Sequence, residues 1–263
     1  MSRRRRKRVS VLVCIALSFS GVPHARGEDK DRASADDESR DAIVRAARGY
    51  KLFLGPDRRP LEMQPEPVLR WPNAVRGTKE GATFVWTLDG RPEAIACIWE
   101  HGVLSNAFQS LASEKLVAQY GGQTVWHPDK PGLSLKAFET APQPADSATK
   151  RLSQMKELAR RFSCRLAAEK GEELRLMPRP LYRYKTDRPE LFDGALFAYA
   201  QGTDPEVVLV LEARRSEKGS EWKYDLTRRS MIALEARLDG KPVWSVPISL
   251  GAADQPWFHG TTR

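Results

Sequence analysis

Cysteine is almost missing: Cys14, Cys97 and Cys164 are all that 263 residues contain. A scaffold held by disulfides is thereby excluded, as is a zinc site of the CxxC type. Cys97 and Cys164 read as buried free thiols, with a single disulfide as the alternative. Histidine is nearly as rare, at four. His101, His127 and His259 follow no metal-ligand spacing, so no metal is expected and all three read as solvated loop residues. Long hydrophobic runs are lacking too: Val9 to Val22 falls short of the roughly 20 residues that span a bilayer. No GxSxG elbow, phosphate loop, GxGxxG or HExxH occurs, so the sequence predicts no cofactor and assigns no catalytic residue. Glu100-His101 has the chemistry of an acid–base pair. Neighbours on a strand point to opposite faces, however, and a hairpin tip suits them better.

What is present begins with an address. Arg3 to Arg8 are basic, Val9 to Val22 is apolar, and Ala25-Arg26-Gly27 is a small-x-small site. Together they predict a secretory signal peptide over residues 1–27 and a mature chain starting near Glu28, with an uncleaved anchor helix as the alternative. Residues 1–27 hold seven Lys or Arg and no Asp or Glu, so cleavage lowers the net charge from +9 to +2. The basic character belongs to the leader, and nucleic acid is not an expected partner. Arg160, Arg161 and Arg165 read as a solvated helix face. The mature chain has no transmembrane run and is expected to be periplasmic or extracellular.

Residues 28–41 are charged or small and predict a flexible leader. Two units follow, 42–139 and 150–250, separated by a Pro- and Ala-rich linker over 140–149 and trailed by a tail over 251–263. The first opens with a short helix, Ala42 to Arg48, capped by Ser39 or Asp41. The second opens with a longer one from Ser147 or Thr149 to about Phe162, with Leu152, Met155, Leu158 and Ala159 at helical spacing. Elsewhere the pattern alternates, predicting short strands with Asp89-Gly90, Gly121-Gly122 and Asp239-Gly240 as hairpin turns.

GATFVWTLDGRPEAIACIWE at Gly81 to Glu100 and GALFAYAQGTDPEVVLVLE at Gly194 to Glu212 match at an offset of 113 residues. Gly81, Ala82, Phe84, Pro92 and Glu93 answer Gly194, Ala195, Phe197, Pro205 and Glu206. Upstream, a PxP-apolar-x-Arg-aromatic stretch ends at Trp71 and again at Tyr184. These matches predict an α+β class: a tandem duplication of a unit with one N-terminal helix followed by an antiparallel β-meander. Arg70 with Glu93, and Arg183 with Glu206, are the expected ion pairs of that shared fold.

Seven tryptophans stand out, and core packing on alternating faces explains most of them. Trp99, aligned with Glu212, and Trp257 in the tail lack an apolar counterpart. With His101 and Arg214 they form the candidate binding set. RWPNAVRG, GATFVWTLDGRPE, LVAQYGGQTVWHPDKPGL and DGALFAYAQGTDPEVVLVLEAR together resemble a family of uncharacterised exported proteins of planctomycete-type bacteria. The resemblance covers nearly the whole mature chain and implies no assigned activity. Histidines flank Phe-x-Ser-Leu in some relatives; here Asn106 and Gln109 stand around Phe108 instead.

These features point to an exported protein that binds or scaffolds an unknown ligand or protein partner without catalysis. The alternative is a periplasmic enzyme, a hydrolase for instance, with a site between the units that uses Glu100, His101 or Arg214. Export from a host that recognises the leader should yield a chain starting near Glu28 by intact-mass measurement. Retention of residues 1–27 would identify the anchor helix instead.

Overall fold

The computed structural model describes residues 25–73, 76–167, 171–217 and 219–262, with side chains from residue 37 onward. Residues 1–24 of the expected signal peptide lie outside these. The first half of the chain runs α1 (Ala25–Gly49), β1 (Tyr50–Leu54), β2 (Arg59–Pro60), β3 (Glu62–Met63), β4 (Leu69–Asn73), β5 (Thr78–Leu88), β6 (Arg91–Glu100), β7 (Leu104–Ser110), β8 (Leu116–Tyr120), β9 (Gln123–Trp126) and β10 (Lys136–Ala137). The second runs α2 (Ala148–Arg160), β11 (Phe162–Leu166), β12 (Glu173–Leu176), β13 (Tyr182–Tyr184), β14 (Leu191–Gln201), β15 (Asp204–Ser216), β16 (Gly219–Arg228), β17 (Leu234–Leu238), β18 (Lys241–Val246) and β19 (Trp257–Thr261).

This is a mostly antiparallel β structure with two helices among the described residues, which corrects the expected α+β tandem of helix-plus-meander units. Three sheets form, ordered β2-β1-β8-β9, β19-β7-β6-β5-β3 with β4 also on β5, and β10-β16-β15-β14-β12-β11-β17-β18 with β13 also on β14. The first half is divided between sheets, and β10, which precedes α2, joins β16 of the second half. Alternation implies one buried face per strand, and here the long strands are covered on both. Val207 to Leu211 and Ala94 to Ile98 are continuous apolar runs, the pattern of strands buried on both faces.

Local signals translate directly into structure. Asp89-Gly90 and Asp239-Gly240 both have positive φ at each residue, as a two-residue hairpin turn of the I′ type requires. Ser147 caps α2, its Oγ accepting from Lys150 N at 3.3 Å, and Met155, Leu158 and Ala159 bury the helix face. The segment 28–41 expected to be flexible is part of α1. The linker is tied down where Arg151 Nη1 donates to the carbonyls of Ala145 and Asp146 at 2.9 and 2.6 Å. The expected tail is partly strand: β19 pairs along β7 from Trp257 opposite Gln109 to Thr261 opposite Ser105. Phe258 packs on the core beneath, and Trp126 Nε1 donates to Gln255 O at 2.8 Å. Cys97 and Cys164 are free and buried.

The two long hairpins, β5–β6 and β14–β15, face each other. Their outer faces pack on separate cores, Phe84, Trp86 and Phe108 with α1 residues Ile43 and Ala47, and Phe197, Tyr199 and Leu209 with α2. Their inner faces meet through Val85, Ile95, Leu196, Val208 and Val210. Full burial of a side chain of this size stabilises by about 1.5–3 kcal/mol. Gly81 and Gly194 let an aromatic ring lie flat over the strand: a Cβ there would stand 2.8 Å from Trp71 and 2.4 Å from Tyr184.

At one end of this inner face the contact is ionic. Arg91 Nε donates to Glu212 Oε1 at 2.9 Å and its Nη1 to Glu93 Oε2 at 2.7 Å, while Arg188 Nη2 donates to Glu93 Oε1 at 2.7 Å and Tyr184 OH to Glu212 Oε1 at 2.9 Å. The ion pairs expected from the sequence are therefore wrong in their partners. Glu93 meets Arg91 and Arg188 rather than Arg70, which is exposed, and Arg183 meets Asp193 at 2.7 Å rather than Glu206. Sequence offset misses both: Arg91 reaches Glu93 along the same strand and Arg188 from the other half, while Arg183 meets Asp193 from the neighbouring strand of its own sheet. Burial raises the Glu93 carboxyl above its ordinary range, with Arg91 and Arg188 opposing. Arg91→Met, which leaves Glu93 and Glu212 short of a cation, should destabilise by about 3–5 kcal/mol in urea unfolding. Arg70→Met should stay within about 0.5 kcal/mol.

Candidate functional site

At the other end of the same inner face the sheets do not close. Across the ladder of the six-stranded sheet, Trp71, Gly81, Trp99 and Ser105 share one row, and Thr83, Cys97, Ala107 and His259 the next. The second row is built mainly of small side chains and makes a floor. Asp204, at the start of β15, and Arg229 to Met231, just after β16, come over it from the nine-stranded sheet. They enclose a cavity of about 350 Å³. A cavity of this size, mainly apolar with a few convergent polar groups, is the usual form of a small-molecule site.

Its wall is aromatic. Trp71 and Trp99 lie 6.3 Å apart between ring centroids, Trp99 and His259 stack at 5.5 Å, and His259 and Trp257 stack at 6.3 Å with 18° between planes. Trp71 Nε1 donates to Thr83 Oγ1 at 3.2 Å, and that hydroxyl lies 3.4 Å from Cys97 Sγ. The thiol thus belongs to a short buried polar chain in the floor. Stacked rings of this kind offer large contact area and flat faces at little conformational cost.

Charge is concentrated on the cover and at one end. Asp204 Oδ2 accepts from Asn73 Nδ2 at 2.8 Å and from Arg76 Nη1 at 3.4 Å; burial raises its carboxyl, and Asn73 and Arg76 oppose. Behind it Glu206 is wholly buried, and burial raises its carboxyl too. Arg76 Nη2 approaches Glu206 Oε1 to 2.7 Å as an ion contact without hydrogen-bond alignment. Arg229, 4% exposed, donates from Nη1 to Ile95 O at 3.2 Å and from Nη2 to Ala107 O at 3.1 Å. Arg228 places its guanidinium 4.8 Å over the Trp257 ring, a cation–π contact.

Three of the four residues singled out from sequence, Trp99, His101 and Trp257, line this cavity. The fourth, Arg214, sits at the closed end, where its Nη1 donates to Glu212 Oε2 at 2.8 Å and its Nη2 to Glu190 at 3.3 Å. Glu100 is exposed and accepts from Ser39 Oγ. Asn106 points to the opposite face, donating to Tyr50 OH at 2.9 Å. Burial pushes that phenol up to about 12. Sequence reasoning missed Trp71, Cys97, Asp204, Arg229 and His259. Arg228-Arg229, a dibasic step closing a largely buried strand, was the one available signal. No group of three or more His, Cys, Asp or Glu able to hold a metal occurs among the described residues, and no helix there is long and apolar enough to cross a membrane.

No protein-family model, curated protein or solved structure matches this chain. The functional reading therefore rests on the geometry of the cavity. In chemical terms the cavity offers stacking surfaces, a buried cation and a carboxylate already bound to Asn73 and Arg76.

His259 gives a pH signature. Burial lowers its pKa below the ordinary 6.5, so the unfolded chain takes up a proton first as pH falls. Its contribution to stability is present above 6.5 and is lost as pH drops through the lowered folded value. Between pH 7 and 5 the wild type should lose more unfolding free energy than His259→Phe, measured by denaturant titration at each pH. Parallel profiles would remove His259 as the source.

Proposed function

We propose that this is an exported, non-catalytic binding protein whose small, mainly apolar ligand sits in the aromatic cavity between the facing sheets. One observation carries the reading. The same inner face that closes on an ionic network at Arg91 is held open at its other end, with Trp71, Trp99, His259 and Trp257 ranged around the gap. A core without function would fill such a space, because every empty cavity lowers stability. Export is supported by the basic and apolar leader at residues 3–22, and a binding role by the prior commitment of Asp204 to Asn73 and Arg76.

The neutral fluorescent probe N-phenylnaphthylamine tests the site without presuming a ligand. It should bind saturably to the exported chain. Trp99→Ala should weaken binding by about tenfold through loss of stacking and contact area. Ser105→Trp, which fills the space from the floor, should abolish it with the fold intact by circular dichroism. Unchanged saturable binding in both variants would show that the probe lodges elsewhere and sink the proposal.

A further inference from the structure

Resting on that reading, we infer that the ligand is an anionic amphiphile, an apolar body with a carboxylate or similar acidic head, seated with its head beside Arg229. Two guanidinium groups there have carbonyl partners but no carboxylate. Arg228 donates to Ser230 O, Pro247 O and Ile232 O at 2.9, 2.9 and 3.0 Å, and Arg229 to Ile95 O and Ala107 O. Both residues are more than nine-tenths buried, at 8% and 4% exposure. A carbonyl satisfies an N–H without balancing its charge; Arg229 acts on the Asp204 carboxylate only at a distance, sharing it with Arg76, which bonds it directly. Asp204 and Glu206, the nearby acids, both meet Arg76. Of these groups Arg76, Arg229 and Asp204 line the cavity, two guanidinium groups against one carboxylate.

Two further donors are idle there. Arg229 Nε and Trp257 Nε1 have no acceptor, and both residues line the cavity. Neither nitrogen is open to solvent, so what an anion meets is the field of the two cations rather than a ready-made hydrogen bond. That field acts strongly in a site partly shielded from water.

The mouth is apolar. Val103 and Met231 line the mouth, and Ser249 N donates to Met231 O at 2.9 Å, which brings the segment carrying Ile248 and Leu250 alongside. Val103, Met231, Ile248 and Leu250 are the exposed large hydrophobics among the described residues. Exposed apolar area gathered at one opening marks a binding edge. The cavity thus combines a buried cation, a ring-lined wall and an apolar mouth.

Calorimetric titration of the exported chain with naphthoate, naphthylmethylammonium and naphthylmethanol separates the terms. Naphthoate should bind about tenfold or more tightly than either of the others, the effect expected of a charge-assisted contact. Arg229→Met should bring the ratio of naphthoate to naphthylmethanol affinity close to one. Because Arg229 also ties two sheets together, Met231→Glu at the exposed mouth provides a second variant. It should lower the ratio of naphthoate to naphthylmethanol affinity, whatever it does to either alone. Equal binding of all three, or tighter binding of the ammonium, would overturn the anionic head yet leave the cavity as a binding site. Failure of all three to bind would remove both. Co-sedimentation with phosphatidylglycerol vesicles in the absence of naphthoate binding would assign the charge to a membrane headgroup and overturn a free ligand.

Discussion

Glu93 and Glu212 are almost wholly buried, and two carboxylates cannot share a buried face without a cation between them. Arg91 supplies it, with Arg188 and Tyr184 completing the hydrogen bonds. Arg91 and Glu93 come from one sheet, while Glu212, Tyr184 and Arg188 come from the strands and loops of the other half. The network therefore does more than neutralise charge: it fixes how the β5–β6 and β14–β15 hairpins lie across each other. The apolar contact of Val85 and Ile95 with Val208 and Val210 supplies most of the area but is tolerant of sliding, since hydrophobic burial has little directionality. Directional, charge-assisted bonds remove that freedom.

With one end fixed, the other end is free to differ. On β6 the inward series is Glu93, Ile95, Cys97 and Trp99, and on β15 it is Asp204, Glu206, Val208, Val210 and Glu212. Charge occurs at both ends of the β15 series, but on β6 it gives way to a tryptophan. Where Glu93 and Glu212 call for a filled ionic cluster, Trp99 stands beside small floor residues and leaves space. β19 then adds Trp257 and His259 along the open edge, anchored by Phe258 on the reverse face. The cavity is thus the product of a fixed closed end, a substitution of ring for charge, and a late strand.

Such a cavity has consequences for dynamics. Its floor belongs to a sheet buried on both faces, so the stacking surfaces are preorganised. Its cover includes Ser230 and Met231, beside Arg229, which is joined to the floor by bonds to the carbonyl oxygens of Ile95 and Ala107. A site with a rigid floor and a lightly held rim admits ligand without opening the core, and local stability is expected to be lowest at that rim.

Much of the local structure was determined by the sequence alone. Asp-Gly pairs set the hairpin turns, Ser147 set the start of α2, and alternating runs marked strands, because each depends on backbone conformations within a few residues. Trp99 and Trp257 stood out by lacking an apolar counterpart, and His101 by its place at a hairpin tip. Only tertiary structure decided the rest. The sheet each strand joins, the pairing of Glu93 with Arg188, the docking of β19 on β7 and the encounter of Arg229 with Ile95 and Ala107 are contacts across about 100 residues or more, or choices between equivalent edges. Their energies come from burial and charge neutralisation at distance, which no local pattern encodes. The α+β expectation failed for the same reason: alternation shows that a strand has two faces, but not whether a helix or another sheet will cover the second.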